Sequence, residues 1–226
     1  MTLLTGPAIA EAVQRGDITI DPFDPAHIGP NSYDVRLGDR LLTYKTERIT
    51  RESIQQPRCQ LDRGPSLERR HTPLDMRWET PTHEIPLNEK GFVLKPGVLY
   101  LGTTVEKAGS KVFAPMLEGR SSVARLGLEV HISAGFGDVG FESNWTLELT
   151  VVQPLRIYPN VRIAQVSFHT TAGERQLYTG KYTDQEDGPV SSRMHDDRPP
   201  GRARDDSQQD RTTSTDQPRP ETAEGP

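Results

Sequence analysis

The sequence has a single cysteine, Cys59, so it can form neither an internal disulfide bond nor a cysteine-rich zinc site. No apolar run approaches the roughly 20 residues of a membrane-spanning helix. The N-terminal stretch MTLLTGPAIAEAVQRGD is too short and too polar for a signal peptide. Positive charge is not in excess either, because the net charge is -5, which argues against binding to a nucleic acid polymer. We therefore expect a cytoplasmic protein that binds neither nucleic acid polymers nor membranes.

Apolar residues are also few, at 33% of the chain with a mean hydropathy of -0.66, so part of the chain should lie outside any core. In residues 198–226 the only apolar side chains are alanines. Such a segment cannot bury enough surface to offset its ordering entropy, which predicts a disordered tail after a domain spanning residues 1–197. Residues 47–90 are rich in charge and proline, and we interpret them as excursions from the core.

The remaining pattern predicts one helix followed by many strands. Thr5 is the predicted N-cap of the helix, Ile9 and Ala12 belong to its apolar stripe, and Gly16 ends it. From Ile18 onward the segments SYDVRLG, GFVL, VLYLGTTV and VRIAQVSFH alternate like strands, and the turn signals KPG and YPN stand before strands. Short strands at this density predict a mostly β sandwich or barrel.

Residues 135–140 read GFGDVG and match the Gly-x-Gly-x-x-Gly pattern of dinucleotide-binding folds. That pattern must follow a strand and open a helix. Here EVHISA (residues 129–134) alternates like a strand, but FESNWTLELTVV, which follows the glycines, alternates as well. Strand, loop and strand exclude the dinucleotide-binding interpretation.

The densest polar cluster lies in MLEGRSSVARLGL, residues 116–128. After Gly119, the side chains of Arg120, Ser121, Ser122 and Arg125 supply two guanidinium groups and two hydroxyls within one turn or helical start. Backbone N–H groups at such a start, flanked by arginines, can hold phosphates. The alternative is a surface turn with two solvated arginines. The segment is neither a Walker loop nor a Gly-x-Ser-x-Gly nucleophile elbow.

Two further acidic positions stand out. In WTLELTVV the apolar residues share one face, so Thr146 and Glu148 point to the other; Glu148 is either a general base in a cleft or a solvated strand residue. The role of Asp34 is equally undecided, because its carboxylate could pair with Arg36 or Arg40.

Taken in order, the segments NSYDVRLG, MLEGRSSVARLGLEVHISAGFGDVGFESNWTLEL, YPNVRIAQVSFH and GKYTDQEDGPVSSR resemble the successive motifs of the dCTP deaminase family. The resemblance runs from the N-terminal helix to about Asp197 and omits residues 47–90 and the tail. It implies a fold of the dUTPase-like (β-clip) type: a distorted, mostly antiparallel β-barrel or jelly-roll with a short N-terminal helix. It also implies a homotrimer whose active sites are shared between neighbouring subunits.

The resemblance assigns the site residue by residue. The turn at residues 120–125 would hold the triphosphate of dCTP or dUTP together with Mg²⁺, which the phosphate oxygens rather than the protein would bind. Asp138 would lie near the sugar, backbone groups of residues 132–134 and 146–147 would contact the pyrimidine, and residues 178–193 would close over the nucleotide as a lid. The implied substrate-binding residues are Arg120, Ser121, Ser122, Val123, Ala124, Arg125, Ile132, Ala134, Asp138, Thr146, Leu147, Gln165, Tyr178, Lys181 and Gln185.

The chemistry gives a separate check. Most cytosine deaminases activate water on zinc held by His and Cys ligands, a site that one cysteine cannot build. A deaminase without zinc needs a carboxylate that takes a proton from water and returns one to the leaving amine, and Glu148 is the candidate. By the resemblance, Ser121 and the Ala134 carbonyl would position the water for attack at C4. Arg125 would keep Glu148 ionised.

The expected product is dUTP with ammonia, supplying dUMP and dTTP synthesis. The alternative is a bifunctional enzyme that also hydrolyses the triphosphate and releases dUMP and pyrophosphate. Gly-Phe in SAGFGD favours this alternative, since monofunctional bacterial relatives tend to have His-Arg there. Alanine in SSVAR argues against it, since bifunctional relatives tend to have glycine. A non-catalytic nucleotide-binding regulator and a plain dUTPase are weaker alternatives, because neither needs Glu148.

Overall fold

The computed structural model describes residues 2–46, 73–183 and 188–197. Most of the regular elements are strands, as predicted. The helices and strands in chain order are α1 (Gly6–Arg15), β1 (Ile18–Asp21), β2 (Tyr33–Arg36), β3 (Arg40–Tyr44), β4 (Thr82–Pro86), β5 (Phe92–Leu94), β6 (Tyr100–Ser110), β7 (Ala114–Gly119), α2 (Ser121–Ala124), β8 (Leu128–Glu129), β9 (Glu142–Val151), β10 (Leu155–Ile157) and β11 (Arg162–His169).

The opening helix matches its sequence signals. Ile9 and Ala12 are fully buried, and Gly16 ends the helix with a φ of 77°, a left-handed conformation that glycine adopts without a steric penalty. Thr5 occupies the N-cap position, but its side chain makes no capping hydrogen bond.

The described strands pair antiparallel in three sheets. The largest has the order β4-β3-β6-β9-β8, with β1 also paired to β6; the second has the order β2-β11-β7, and β10 pairs with β5. The long strand β6 lies at the centre of the largest sheet, with β9 along one side and β3 and β1 along the other. The chain between β8 and β9 contains the glycine loop and therefore lies at the end of two paired strands.

One hydrophobic core joins the two larger sheets. Trp145, Leu147, Leu149 and Val151 of β9 are buried, as their alternation predicts, and the intervening side chains are half-buried. Phe168 of β11 belongs to the same cluster. Fully burying one such leucine contributes about 2 kcal/mol to stability, so the buried face fixes the register of β9 and places Thr146 and Glu148 on the opposite face.

The predicted strand over residues 129–134 is wrong beyond Glu129. Strand β8 ends there, and residues 130–135 form an irregular bend. Val130 accepts a backbone hydrogen bond from the N–H of Glu148, but the N–H of Ile132 donates to the Glu148 side chain at 3.1 Å. A side chain thus takes the bond that a partner strand would have made.

The interpretation of residues 47–90 as excursions is wrong for one part. Strand β4 pairs with β3 along its length, from Arg40↔Pro86 to Tyr44↔Thr82, and so extends the main sheet. Residues 47–72 and the predicted tail at residues 198–226 lie outside the described residues.

Candidate active site

A cavity of about 540 Å³ lies where the bend after β8, the glycine loop and the polar face of β9 meet. The sequence-predicted residues that line it are Ile132, Ala134, Asp138, Thr146, Glu148 and Tyr178. The structure therefore places the residues predicted to contact the pyrimidine and the sugar around the same cavity as Glu148, the proposed general base. Leu147 adjoins them on β9, with its side chain fully buried on the other face of the strand.

Glu148 is held at the cavity wall by two groups from the bend. Its Oε2 lies 3.3 Å from Nδ1 of His131 and accepts the hydrogen bond from the backbone N–H of Ile132. The His131 imidazole beside it lowers the pKa of Glu148 below its ordinary value, although partial burial acts in the opposite direction, and the Ile132 N–H lowers it further. Glu148 is therefore an ionised carboxylate at neutral pH, the form that a general base requires.

His131 was not identified by sequence reasoning. Its side chain is only 7% exposed, its ring packs edge-on against Trp145, and its Nε2 lies 2.8 Å from the carbonyl oxygen of Ala134. An oxygen atom thus lies within 3.3 Å of each ring nitrogen. A histidine inside a segment that alternates like a strand carries no signal of this role. The contact depends on the bend that ends β8.

Arg125 was expected beside Glu148. In the described residues, the contact with the Glu148 carboxylate is made by His131 at 3.3 Å, and Arg125 does not contribute to it. No residue of the 120–125 turn lines the cavity. The turn itself folds as predicted: Arg120 is the N-cap of the short helix α2, and Ser121, Ser122, Ala124 and Arg125 are exposed.

Asp34 contacts this turn. It pairs with neither Arg36 nor Arg40: its carboxylate binds Arg120 at 3.0 Å and Arg162 at 3.4 Å. Arg36 instead donates to the fully buried Glu106 at 2.6 Å, which explains why it does not reach Asp34.

Gln165, on β11, also lies next to the 120–125 turn. It accepts from Ser32 and donates to the carbonyl of Gly119, the residue before the turn. The predicted site residues thus form two groups in the described chain: those around the cavity, and those around residues 120–125.

The C-terminal segment covers the cavity. Val190 donates its N–H to the Thr146 hydroxyl at 3.1 Å, and Ser192 donates to the Tyr44 hydroxyl at 2.9 Å. Tyr178 is tied to the loop through its N–H bond to the Val139 carbonyl. The cavity is lined by Tyr44, Tyr178 and residues 190–192. This part of the predicted lid therefore lies at the site predicted for the pyrimidine.

Lys181, predicted to contact phosphate, is paired with Asp197 at 2.7 Å. The Asp197 carboxylate raises the pKa of Lys181, so the lysine remains cationic. Gln185 lies outside the described residues.

Within residues 2–46, 73–183 and 188–197, no three His, Cys, Asp or Glu side chains are grouped to bind a metal ion. In the same ranges, no helix has the length and apolar character needed to span a membrane.

Comparison with known proteins gives consistent results. A family model described as dCTP deaminase-like matches residues 3–171. A protein of Hathewaya histolytica named "dCTP deaminase, dUMP-forming" is 42% identical over 181 residues, which are 80% of this chain and 90% of that protein. A protein of the same name from Leptospira biflexa serovar Patoc is also 42% identical, over 80% of this chain and 89% of its own length.

Among solved structures, the crystal structure of 2'-deoxycytidine 5'-triphosphate deaminase from Agrobacterium tumefaciens superimposes with a TM-score of 0.52 at 18% sequence identity. The match covers 75% of this chain and 48% of the solved chain. At that identity the likeness establishes the fold, and it confirms the predicted dUTPase-like β architecture.

Proposed function

The chain belongs to the dCTP deaminase-like family, and from this membership we propose that it converts dCTP to dUMP, ammonia and pyrophosphate. The sequence alone favoured dUTP as the released product. The relatives at 42% identity are named dUMP-forming, and this supports the bifunctional alternative. The reaction consumes two water molecules: one replaces the amino group at C4, and the other cleaves the bond between the α- and β-phosphates.

For the first step, the supporting observation is the ionised Glu148 in the cavity wall. Glu148 takes a proton from water as the oxygen attacks C4 of the cytosine, and the same carboxyl group then returns a proton to the departing amine. The C4–N bond breaks and ammonia leaves. Ser121 and the Ala134 carbonyl position the water in this proposal, while Arg125 balances the charge of the carboxylate and touches the phosphates. No zinc takes part, and Mg²⁺ arrives bound to the triphosphate of the substrate.

In the proposed assembly, three identical subunits share their active sites. The 120–125 turn does not line the cavity of its own protomer, which supports a turn supplied by a neighbour. Phe136 and Val152, which line a second groove of about 770 Å³ beside the turn, are 56% and 80% exposed. Apolar side chains exposed together in this way are typical of a surface that another subunit covers.

The decisive experiment is a time course with dCTP and Mg²⁺, in which dUTP and dUMP are separated chromatographically and ammonia and pyrophosphate are quantified. We expect dUMP, ammonia and pyrophosphate in equal amounts. Accumulation of dUTP that is not consumed would show a deaminase without diphosphatase activity. If dCTP stayed unchanged while the protein remained folded, the proposed function would be wrong.

A further inference from the structure

Asp34, on β2, holds two arginines that belong to different elements. Its Oδ1 accepts from Nε of Arg120, which precedes α2, at 3.0 Å; its Oδ2 accepts from Nη1 of Arg162, at the start of β11, at 3.4 Å. The Asp34 side chain is 14% exposed, against 27% for Arg120 and 46% for Arg162. The carboxylate is thus the most buried member of the group, and the guanidinium groups extend from it toward solvent.

A third contact fixes the orientation of Arg120. Its Nη1 donates to the backbone carbonyl of Arg162 at 3.2 Å, so two neighbouring nitrogens of the guanidinium are bonded to two different strands. A guanidinium carries five N–H donors in one plane. With Nε and Nη1 engaged, the plane is set, and Nη2 makes no hydrogen bond within the described part of the chain.

We propose that Asp34 is a positioning residue for the triphosphate: it orients Arg120 before the nucleotide binds. The inference rests on the proposed function, in which Arg120 contacts the phosphates. An unrestrained arginine loses rotational freedom when it binds a ligand, and this loss weakens binding. Asp34 removes most of that loss in advance and leaves donors of Arg120 for the phosphate oxygens.

We expect a change in dCTP affinity opposite to the one that electrostatic repulsion alone would cause. A carboxylate next to a triphosphate site repels the ligand, so removing a carboxylate that has no positioning role should strengthen dCTP binding. If Asp34 positions Arg120, removing it should weaken binding despite the gain in positive charge.

The test compares Asp34→Ala and Asp34→Asn with the parent enzyme. We expect the KM for dCTP to rise about 10-fold in Asp34→Ala with kcat within about two-fold, and a smaller rise in Asp34→Asn, which keeps one acceptor. The control is Asp17→Ala, because Asp17 accepts from Nε of Arg15 at 2.8 Å in a matching pair outside the cavity. An unchanged or lower KM in both Asp34 variants would overturn the proposal.

A second measurement asks whether Asp34 acts through Arg120. Binding of Mg²⁺·dCTP is measured by calorimetry in a Glu148→Gln background, so that the readout does not depend on turnover. Adding Asp34→Ala to Arg120→Ala should change the Kd by less than about two-fold, because the group to be positioned is gone. Fully additive effects of the two substitutions would contradict the proposal.

Folding and the proposed function are controlled separately. Thermal unfolding followed by circular dichroism identifies any variant that is unfolded at the assay temperature; should Asp34→Ala be such a variant, the isosteric Asp34→Asn decides the question by the same KM criterion. If the parent neither binds nor turns over dCTP, the proposed function fails. If the parent is active and the Asp34 variants bind as well as it does, only the positioning role fails.

Discussion

Glu148 lies on β9 between two fully buried leucines, and its carboxylate accepts a hydrogen bond from the bend after β8. The leucines fix the strand, and His131 with the Ile132 N–H fixes the carboxylate. A side chain that is 28% exposed and lines a cavity can receive a water molecule and still keep a set direction. The site therefore combines a rigid support with access to solvent, as a general base needs.

Replacing Glu148 by Gln should abolish deamination while sparing nucleotide binding. The amide keeps nearly the same shape and can still accept from Ile132, so β9 should stay in place. It cannot take the proton from water, a role generally worth about 10² to 10⁴ in rate. Single-turnover rates with dCTP and the Kd for dCTP measure the two effects. Turnover within a few-fold of the parent would mean that Glu148 is only a solvated strand residue.

The pairing with His131 predicts a shift in pH dependence. Since the His131 imidazole 3.3 Å away lowers the pKa of Glu148, His131→Phe should let that pKa rise toward its ordinary value. A base works only when ionised, so the acid limb of the kcat/KM profile should move to higher pH. His83→Phe, at an exposed position of edge strand β4, is the control. An acid limb that stays in place in His131→Phe would show that His131 does not tune Glu148.

At the level of elements, the loop GFGDVG owes its glycines to packing and turn geometry. A Cβ on Gly137 would lie 2.5 Å from the Trp145 ring, and Gly140 has a φ of 97°. The N–H of Gly137 bonds to the carbonyl of Pro115, which lays the loop along β7. The dinucleotide-like spacing therefore reflects close contact with strand β7 and the core tryptophan.

The sequence predicted those elements whose pattern has a local cause. Strands β9 and β11 were predicted because each buries one face. Helix α1 was predicted because its apolar stripe and its terminal glycine lie close together in the chain. The sequence did not predict the end of β8 at Glu129, because that end depends on the Glu148 side chain 19 positions further on. The pair of Asp34 with Arg120 joins residues 86 positions apart, a distance that no local pattern encodes.

The C-terminal segment leads to a prediction about truncation. Its bonds to Thr146 and Tyr44 lie over the cavity, and Lys181 lies in the same segment. A chain ending at Asp197 should keep near-normal turnover, whereas one ending at residue 177 should lose affinity for the triphosphate, because the lid is absent. KM values for dCTP from both chains, with circular dichroism as a folding control, check this. Loss of activity on removing residues 198–226 alone would place the domain boundary further along the chain.

At the scale of the whole molecule, the predicted site residues form two groups, because no residue of the 120–125 turn lines the cavity that holds Glu148. Glu148, His131 and the C-terminal segment surround one cavity, and Arg120, Asp34 and the 120–125 turn form another surface. In a ring of identical subunits each interface joins two different patches, so one subunit can present its turn to the cavity of the next. In the proposed trimer, this arrangement would bring Arg125 of one subunit to Glu148 of the next.

Mixing two inactive variants tests the shared site directly. Arg125→Ala lacks the turn function and Glu148→Gln lacks the general base, so each variant by itself should be nearly inactive. The two variants are mixed in equal amounts, dissociated and reassembled at random. An interface is then complete when the Glu148→Gln subunit supplies the turn and the Arg125→Ala subunit supplies Glu148. This happens at about a quarter of interfaces, so about a quarter of the parent activity should return. Reassembly of each variant alone is the control. If the mixture stays as inactive as its components although mixed trimers have formed, Arg125 and Glu148 act within the same subunit and the site is not shared.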